Sequence, residues 1–373
     1  MSAATNIYVA GLEEKLIGER KVWSLTYADD IVLMADREEE LKKMLKKFKQ
    51  FLKEVELELS TEKIKIVVFE KRRNKRRQRK WKWGEQELEE VDEIRYLGYI
   101  LQKNGSDEKH IQDRKKRAAI AMKKTWSVGE RIFKQDYKRR MKMFRALVES
   151  MALFGAEVWG WNMEERLDRV QRRYVKWILG LDMSTPNYIL LEECKIIEIK
   201  EKALKRAVRY EEKALESKKE LVRECIKEKE RNWGNGHEGK KARKRKKGLE
   251  EVRKGRTQIE AEEEQERMTA DQIIEERRKK DAEERGKMIR ESKYNIHYRN
   301  IVKEKLPKYL EGRMKWKNRR ILARFRCGNE TKAREYWKKE GEKRCSLCRR
   351  KEDLRHVIEE CEITGGPKDI GKR

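Results

Sequence analysis

The chain has 373 residues, 45% of them charged and 37% apolar, and its 98 Lys and Arg outweigh 69 Asp and Glu for a formal charge of +29. No window approaches the roughly 18 consecutive apolar residues a membrane span needs, the N-terminus carries no secretory h-region, and six Cys are too sparse for a disulfide framework. This argues against a membrane-spanning or a secreted, disulfide-held protein, and the expectation is an intracellular chain of the nucleus, the cytoplasm or both. A charge surplus of this size makes a polyanion the default partner, since each Lys or Arg that neutralises a phosphate releases a counterion; a basic surface serving only solubility is the alternative.

In chain order, Val22 to Ala35 reads V-W-S-L-T-Y-A-D-D-I-V-L-M-A, two short β-prone runs with Asp29 and Asp30 at the expected bend of a hairpin. Arg37–Leu59 follows, with Leu41, Met44, Leu45, Phe48, Leu52 and Val55 at the three- and four-residue spacing of one helix face. Ile64–Phe69 and Ile94–Leu101 read as strands. Between them, residues 71–83 carry nine basic residues, no acidic one, and Trp81 and Trp83, which suit either base stacking or an apolar strand edge. From about Asp107 the period is helical: Tyr137, Met141, Phe144, Leu147, Met151 and Phe154 share one predicted face, and Leu167, Val170, Tyr174, Trp177 and Ile178 another. Residues 231–293 hold K-K-A-R-K-R-K-K at 240–247 and then a mixed-charge run, expected to be a linker or exposed helix that buries no core. The basic octet suits a nuclear localisation signal, an RNA contact or plain solvated charge. The expected class is α+β: a small antiparallel sheet with a helix on it over 1–105, an all-α region over 106–230, the charged stretch 231–293, and a basic C-terminal region over 294–373.

Two adjacent carboxylates at a bend repel each other unless a cation sits there, and Mg²⁺ is the usual one. Hard cations held by carboxylates ~3.5–4 Å apart can stabilise both the attacking and the leaving oxygen of a phosphoryl displacement. Asp-Asp alone equally suits a polar hairpin tip. The flanks add to it. Y-A-D-D with L-T ahead and I-V-L-M-A behind resembles the catalytic hairpin of reverse transcriptases, specifically those of non-LTR retrotransposons. In register with it, Asn6–Ala10 resembles the family segment leading towards the hairpin, and Leu59–Lys65 resembles the motif after it, with Ser60 and Ile64 in place of the usual Asn and Thr. Tyr96, Leu97 and Gly98 resemble the primer-grip turn, where Gly lets the backbone approach nucleic acid. Phe154–Gly160 and Trp177–Leu181 resemble thumb and post-thumb helices.

The resemblance implies a partial palm over 1–105 followed by thumb and post-thumb helices. It implies RNA-directed DNA polymerase activity by two-metal nucleotidyl transfer from dNTPs, with an RNA template, a DNA primer or target, and no membrane partner. Asp29 and Asp30 would be Mg²⁺ ligands, with Asp29 the more critical, and Tyr27 would lie near the incoming nucleotide or primer end. Lys63 would donate a proton to pyrophosphate, although a plain surface lysine fits it as well. Upstream of Tyr27 the family has a further catalytic Asp and a nucleotide-binding loop. The only acidic residues before Tyr27 here are Glu13, Glu14 and Glu19, so the expectation is an N-terminally truncated and inactive chain. The rival reading is a non-catalytic RNA- or DNA-binding protein derived from a transposable element.

Near the C-terminus Cys345, Cys348, His356 and Cys361 give C-x2-C-x7-H-x4-C, a donor set that suits tetrahedral Zn²⁺. Unrelated thiols and a surface His are the alternative. Ahead of this Cys/His set, Ala323–Gly328 and Tyr336-Trp337 resemble the C-terminal region of the same retrotransposon proteins, which implies a Cys/His module that helps hold template RNA or target DNA. Cys194, Cys225 and Cys327 lack ligand spacing and are expected in the core.

Overall fold

A computed structural model describes residues 22–69, 79–234, 269–293, 298–329, 339–345, 348–351 and 356. The chain divides into two compact units, residues 1–111 with 219–224, and residues 112–218 with 225–373.

The first unit is built from short ladders and one helix. β1 (Val22–Tyr27) pairs antiparallel with β2 (Asp30–Ala35), Tyr27 opposite Asp30, so the bend is Ala28-Asp29 and Asp30 already belongs to the second strand. The expected bend is therefore displaced by one residue, because a two-residue loop is the shortest that closes this register. Alternation puts Ile31, Leu33 and Ala35 on one face, against α1 (Glu38–Glu54). α1 starts with Glu38, Glu39 and Glu40, whose charges favour the positive end of the helix dipole, and buries Met44, Phe48, Phe51 and Leu52. At about 1.5–3 kcal/mol for each large side chain, that cluster anchors the hairpin to the helix. A single 3₁₀ turn, Thr61–Lys63, leads into β3 (Lys65–Ile66), which pairs in parallel with β6 (Glu89–Glu90). β4 (Lys82–Trp83) and β5 (Gln86–Glu87) form a ladder between them. The expected strand at 94–101 folds back on itself as β7 (Glu93–Tyr96) and β8 (Tyr99–Gln102), joined by Leu97-Gly98. One of these ladders is parallel, where only antiparallel pairing was expected.

The second unit is helical. α2 (Glu108–Ile132), whose first turn belongs to the first unit, is followed by α3 (Tyr137–Phe144), and Asp136 caps α3 by accepting from the Arg139 N–H at 2.9 Å. A π-helical turn, Arg145–Glu149, continues it. Tyr137, Met141 and Phe144 are buried as expected, but Leu147, Met151 and Phe154 are exposed, and Val148, Ala152 and Leu153 are buried instead. The extra residue in a π turn advances the buried face by one position, which a period of 3.6 does not anticipate. α4 (Glu165–Leu179) buries Leu167, Val170, Tyr174 and Ile178. It is followed by α5 (Asn187–Cys194), α6 (Ile199–Leu215) and α7 (Glu220–Gly234). Gly160 lies so close to α6 that an added Cβ would stand 2.2 Å from the Ala203 carbonyl oxygen, which explains a small residue there.

α8 (Ala270–Glu291) falls inside the stretch expected to be linker or exposed helix. It is a helix with a Thr269–Gln272 capping box, and Ala270, Ile273, Ile274 and Ile289 are buried. Ala270 and Ile273 pack with Leu204 and Val208 of α6, and Arg278 pairs with Glu201 at 2.5 Å. Four buried apolar residues in 22 suffice because a neighbouring helix supplies the rest of the core. Residues 235–268, including the basic octet, lie outside the described residues.

The chain then runs through single helical turns at Tyr298–Ile301 and Lys308–Glu311 into α9 (Trp316–Cys327). Glu193 of α5 gathers them, being 1% exposed. Its carboxylate accepts from the Tyr309 hydroxyl at 2.7 Å, the Tyr298 hydroxyl at 3.1 Å, and Arg326 Nε and Nη2 at 2.5 and 3.0 Å. Residues 298–327 are thus part of the helical core, whereas the sequence assigned them to a separate C-terminal region. Cys194 and Cys327 are buried as expected; Cys225 is exposed.

Candidate functional site

The tip of the first hairpin is strained and open. Ala28 takes φ 55, a left-handed conformation that costs a non-glycine residue about 1 kcal/mol or more. Tyr27 is 63% exposed, and Asp29 and Asp30 are exposed. Among the described residues neither carboxylate forms an ion pair, in a chain of charge +29. Tyr27 and Asp30, being directly opposite, share a sheet face, the one turned away from α1.

The second turn lies within electrostatic reach of the first. The Tyr96 phenol is pushed above the usual tyrosine range, first by burial and then by the negative charge of Asp30. Leu97 and Gly98 have φ 45 and 82, so both loop residues are left-handed, as a two-residue primed turn demands. Glycine meets that demand freely. Leu97 meets it at a cost and is 44% exposed at the tip. Asp30 and Tyr96, named from separate motifs, are therefore linked by charge, and Leu97 and Gly98 follow Tyr96 directly in the chain. Lys63 stands apart from this electrostatic link: it ends the Thr61–Lys63 turn, is exposed, and has no ion pair among the described residues.

Base stacking is ruled out for Trp81. Its ring is 3% exposed in a cluster with Ile66 and Leu88, its Nε1 donates to Glu90 at 2.9 Å, and the Lys42 ammonium lies 5.6 Å from the ring centroid. Trp83 packs edge-on against Phe48, centroids 5.8 Å apart. An indole buries so much apolar surface that the core outcompetes a solvent-facing role.

Sequence reading missed a polar cluster behind the second turn. The Tyr99 hydroxyl donates to Asp107 Oδ1 at 2.8 Å, the Tyr99 ring stacks on His110 with centroids 3.8 Å apart, and the Ile100 N–H donates to His110 Nδ1 at 3.3 Å. The available signal was Asp107 and His110, three residues apart at the start of a helix.

Near the C-terminus three of the four proposed ligands converge. The donor atoms of Cys345, Cys348 and His356 lie within 4.8 Å of one another, and Cys348 Sγ is 3.0 Å from His356 Nε2. A tight reversal places the thiols: the Cys345 N–H donates to the Arg350 carbonyl at 2.7 Å, the Arg349 N–H to the Cys345 carbonyl at 2.9 Å, and Arg349 has φ 60. Cys345 and His356 are buried. Cys361 lies outside the described residues. Two thiols and an imidazole at this spacing could bind a metal ion.

Among the described residues no helix is long and apolar enough to cross a membrane. Residues 2–101 match the reverse transcriptase (RNA-dependent DNA polymerase) family. A transposon-derived protein of Caenorhabditis elegans is 27% identical over 170 residues, 45% of this chain and 60% of that protein. The chain thus matches about 60% of the length of that relative. No solved structure matches. The acidic hairpin and these two matches point the same way: residues 2–101 are similar to reverse transcriptases, and part of the chain is similar to a transposon-derived protein.

Proposed function

We propose that the chain serves RNA-directed DNA synthesis as part of a non-LTR retrotransposon reverse transcriptase, with Asp29 and Asp30 as the carboxylates of the nucleotidyl-transfer site. The observation that carries this reading is the pair of adjacent carboxylates at an exposed hairpin tip, with no ion pair among the described residues. Their oxygens are hard donors and suit Mg²⁺. Bound there, the ion would polarise phosphoryl oxygens and offset charge developing on the attacking and leaving groups. Tyr27 would present its exposed ring to the incoming dNTP or primer end, Leu97 and Gly98 would bring backbone and an apolar edge to the primer, and Lys63 would supply a proton to pyrophosphate.

A two-metal centre also needs a bridging carboxylate, and none besides Asp29 and Asp30 comes to this tip among the described residues. These 373 residues are therefore expected to bind an RNA template with a DNA primer and not to extend it. We assign Zn²⁺ to Cys345, Cys348 and His356, with Cys361 as fourth ligand, as a nucleic-acid-holding module. The second reading, a non-catalytic RNA- or DNA-binding protein, draws support from the exposed Lys115, Lys116, Arg117, Lys123 and Lys124 on α2. A primer-extension assay with Mg²⁺, run alongside a salt titration of template–primer binding, tests both readings. Binding that weakens steeply with salt and no extension is the expected result. Extension that Asp29→Ala abolishes would overturn the incomplete site, and extension that survives Asp29→Ala would overturn the carboxylate assignment itself.

A further inference from the structure

The Leu97-Gly98 turn is strained, exposed and short, so something must hold it in place. The strands on either side offer only four paired positions, with Tyr96 directly opposite Tyr99. A two-stranded ribbon of this size is marginal on its own in water. Support comes from the start of α2. Asp107 is 5% exposed and takes the Tyr99 hydroxyl; His110 is fully buried, stacks on the Tyr99 ring at 15° between planes and accepts from the Ile100 N–H. Further along β8, the Gln102 side chain accepts from the Lys109 N–H at 3.0 Å, and Lys109 Nζ reaches Glu93 of β7 at 2.5 Å. Every residue from Tyr99 to Gln102 is at least half-buried, whereas Leu97 is exposed. The hairpin is thus clamped along β8 up to the turn itself, where Leu97 stays exposed.

We propose that Tyr99 is a positioning residue for the nucleotidyl-transfer site: Asp107 and His110 lock its ring, and the locked ring fixes the Tyr96-Leu97-Gly98 turn beside the Asp29–Asp30 hairpin. This rests on the function proposed above. Tyr99 touches no substrate in this role; it acts through its cross-strand partner Tyr96, two residues from Gly98. A fixed turn would present the same backbone groups to a recessed primer 3′ end at each encounter, whereas a loose one would still bind duplex by charge but lose preference for the end.

The test uses the full chain with Tyr99→Leu, which removes both the hydrogen bond and the stack, and Tyr99→Phe, which keeps the stack. Hydrogen exchange followed by mass spectrometry is read over residues 96–100 and, as an internal control, over 22–35. Affinity is compared for an RNA–DNA hybrid with a recessed DNA 3′ end and for a blunt hybrid of the same length. Tyr99→Leu is expected to speed exchange over 96–100 about tenfold or more while leaving 22–35 unchanged, and to abolish the preference for the recessed end; Tyr99→Phe restores part of both. Unchanged exchange at 96–100, or equal acceleration everywhere, overturns the clamp. Local loosening with the end preference intact leaves Tyr99 merely structural and overturns its positioning role. A wild-type chain with no end preference defeats the proposed function, and the positioning role with it, while the exchange data still decide whether the clamp exists.

Discussion

Glu193→Ala removes the acceptor that ties α5 to residues 298–327. The wild-type carboxylate is 1% exposed and receives two tyrosine hydroxyls and both nitrogens of an Arg326 fork. The phenols of Tyr298 and Tyr309 are driven far above the usual range, by burial first and then by the charge of Glu193, so both remain hydroxyl donors at any ordinary pH. The alanine variant leaves a guanidinium with its carboxylate gone, although Arg326 Nη2 keeps the Ile301 carbonyl at 3.0 Å. Breaking a buried pair in this way costs about 3–5 kcal/mol. Two buried hydroxyls without an acceptor add roughly 1–3 kcal/mol each where water does not reach them. The lower figure alone would lower the melting temperature of a domain this size by roughly 6–12 °C. Tyr309→Phe, which removes one donor and leaves the fork, should cost about 1.5–3 kcal/mol. Urea unfolding followed by circular dichroism measures both, and limited proteolysis should find residues 298–327 newly cleavable in Glu193→Ala. A loss below about 1 kcal/mol with unchanged proteolysis would mean that these residues are not docked on the helical unit as described.

Three further outcomes follow from other sites. Burial first, and then the charge of Glu198, pushes the Asp168 carboxyl up to about 7 from 3.8, so its contribution to stability is full below about pH 3.8 and is lost as pH rises through 7. Asp168→Asn keeps an oxygen for the Lys200 N–H, bonded at 3.0 Å, and should raise the melting temperature relative to wild type progressively from pH 5 to 8; a difference independent of pH would contradict the assignment. Gly160→Ala forces its Cβ against the Ala203 carbonyl oxygen and should destabilise by about 1–3 kcal/mol in chemical denaturation, since backbone rather than a flexible side chain must move; a neutral effect would show that α6 sits farther away. Mass spectrometry of the native full chain should find one zinc, released by chelator and missing from Cys345→Ser, whereas a metal-free chain with the cluster intact would remove Zn²⁺ from the proposal.

The sequence was most legible where one period governs one element. The expected faces of α1 and α4 follow from their spacing: Met44, Phe48 and Leu52 of α1 and Leu167, Val170, Tyr174 and Ile178 of α4 are buried as a straight helix would bury them. The hairpin and its turn partner were legible as motifs, since the loop geometry demands unusual residues at fixed positions. Three features escaped. The π turn at Arg145–Glu149 changes the period in mid-helix, so Leu147 and Met151 appear outside where a straight helix would bury them, and the helix ends at Ala152, before Phe154. α8 looked unable to bury a core because its own apolar residues are few, and only the packing against α6 reveals that they are enough. The Tyr99–Asp107–His110 cluster joins residues whose partnership depends on how a hairpin meets a helix, which no local pattern encodes. At Trp81 the basic run left base stacking and an apolar edge equally open, and its apolar area takes it inside.

Divalent-ion binding at the hairpin is the most direct measurement of the proposed function. Mn²⁺ serves as a paramagnetic stand-in for Mg²⁺, titrated by electron paramagnetic resonance into the full chain bound to an RNA template with a recessed DNA primer. Wild type should hold a tight ion that Asp29→Asn and Asp30→Asn each weaken at least about tenfold, with the helical circular dichroism and nucleic-acid affinity unchanged. Equal Mn²⁺ binding in wild type and both variants would contradict the assignment of Asp29 and Asp30 as metal ligands, leaving the hairpin a polar turn on a nucleic-acid-binding scaffold.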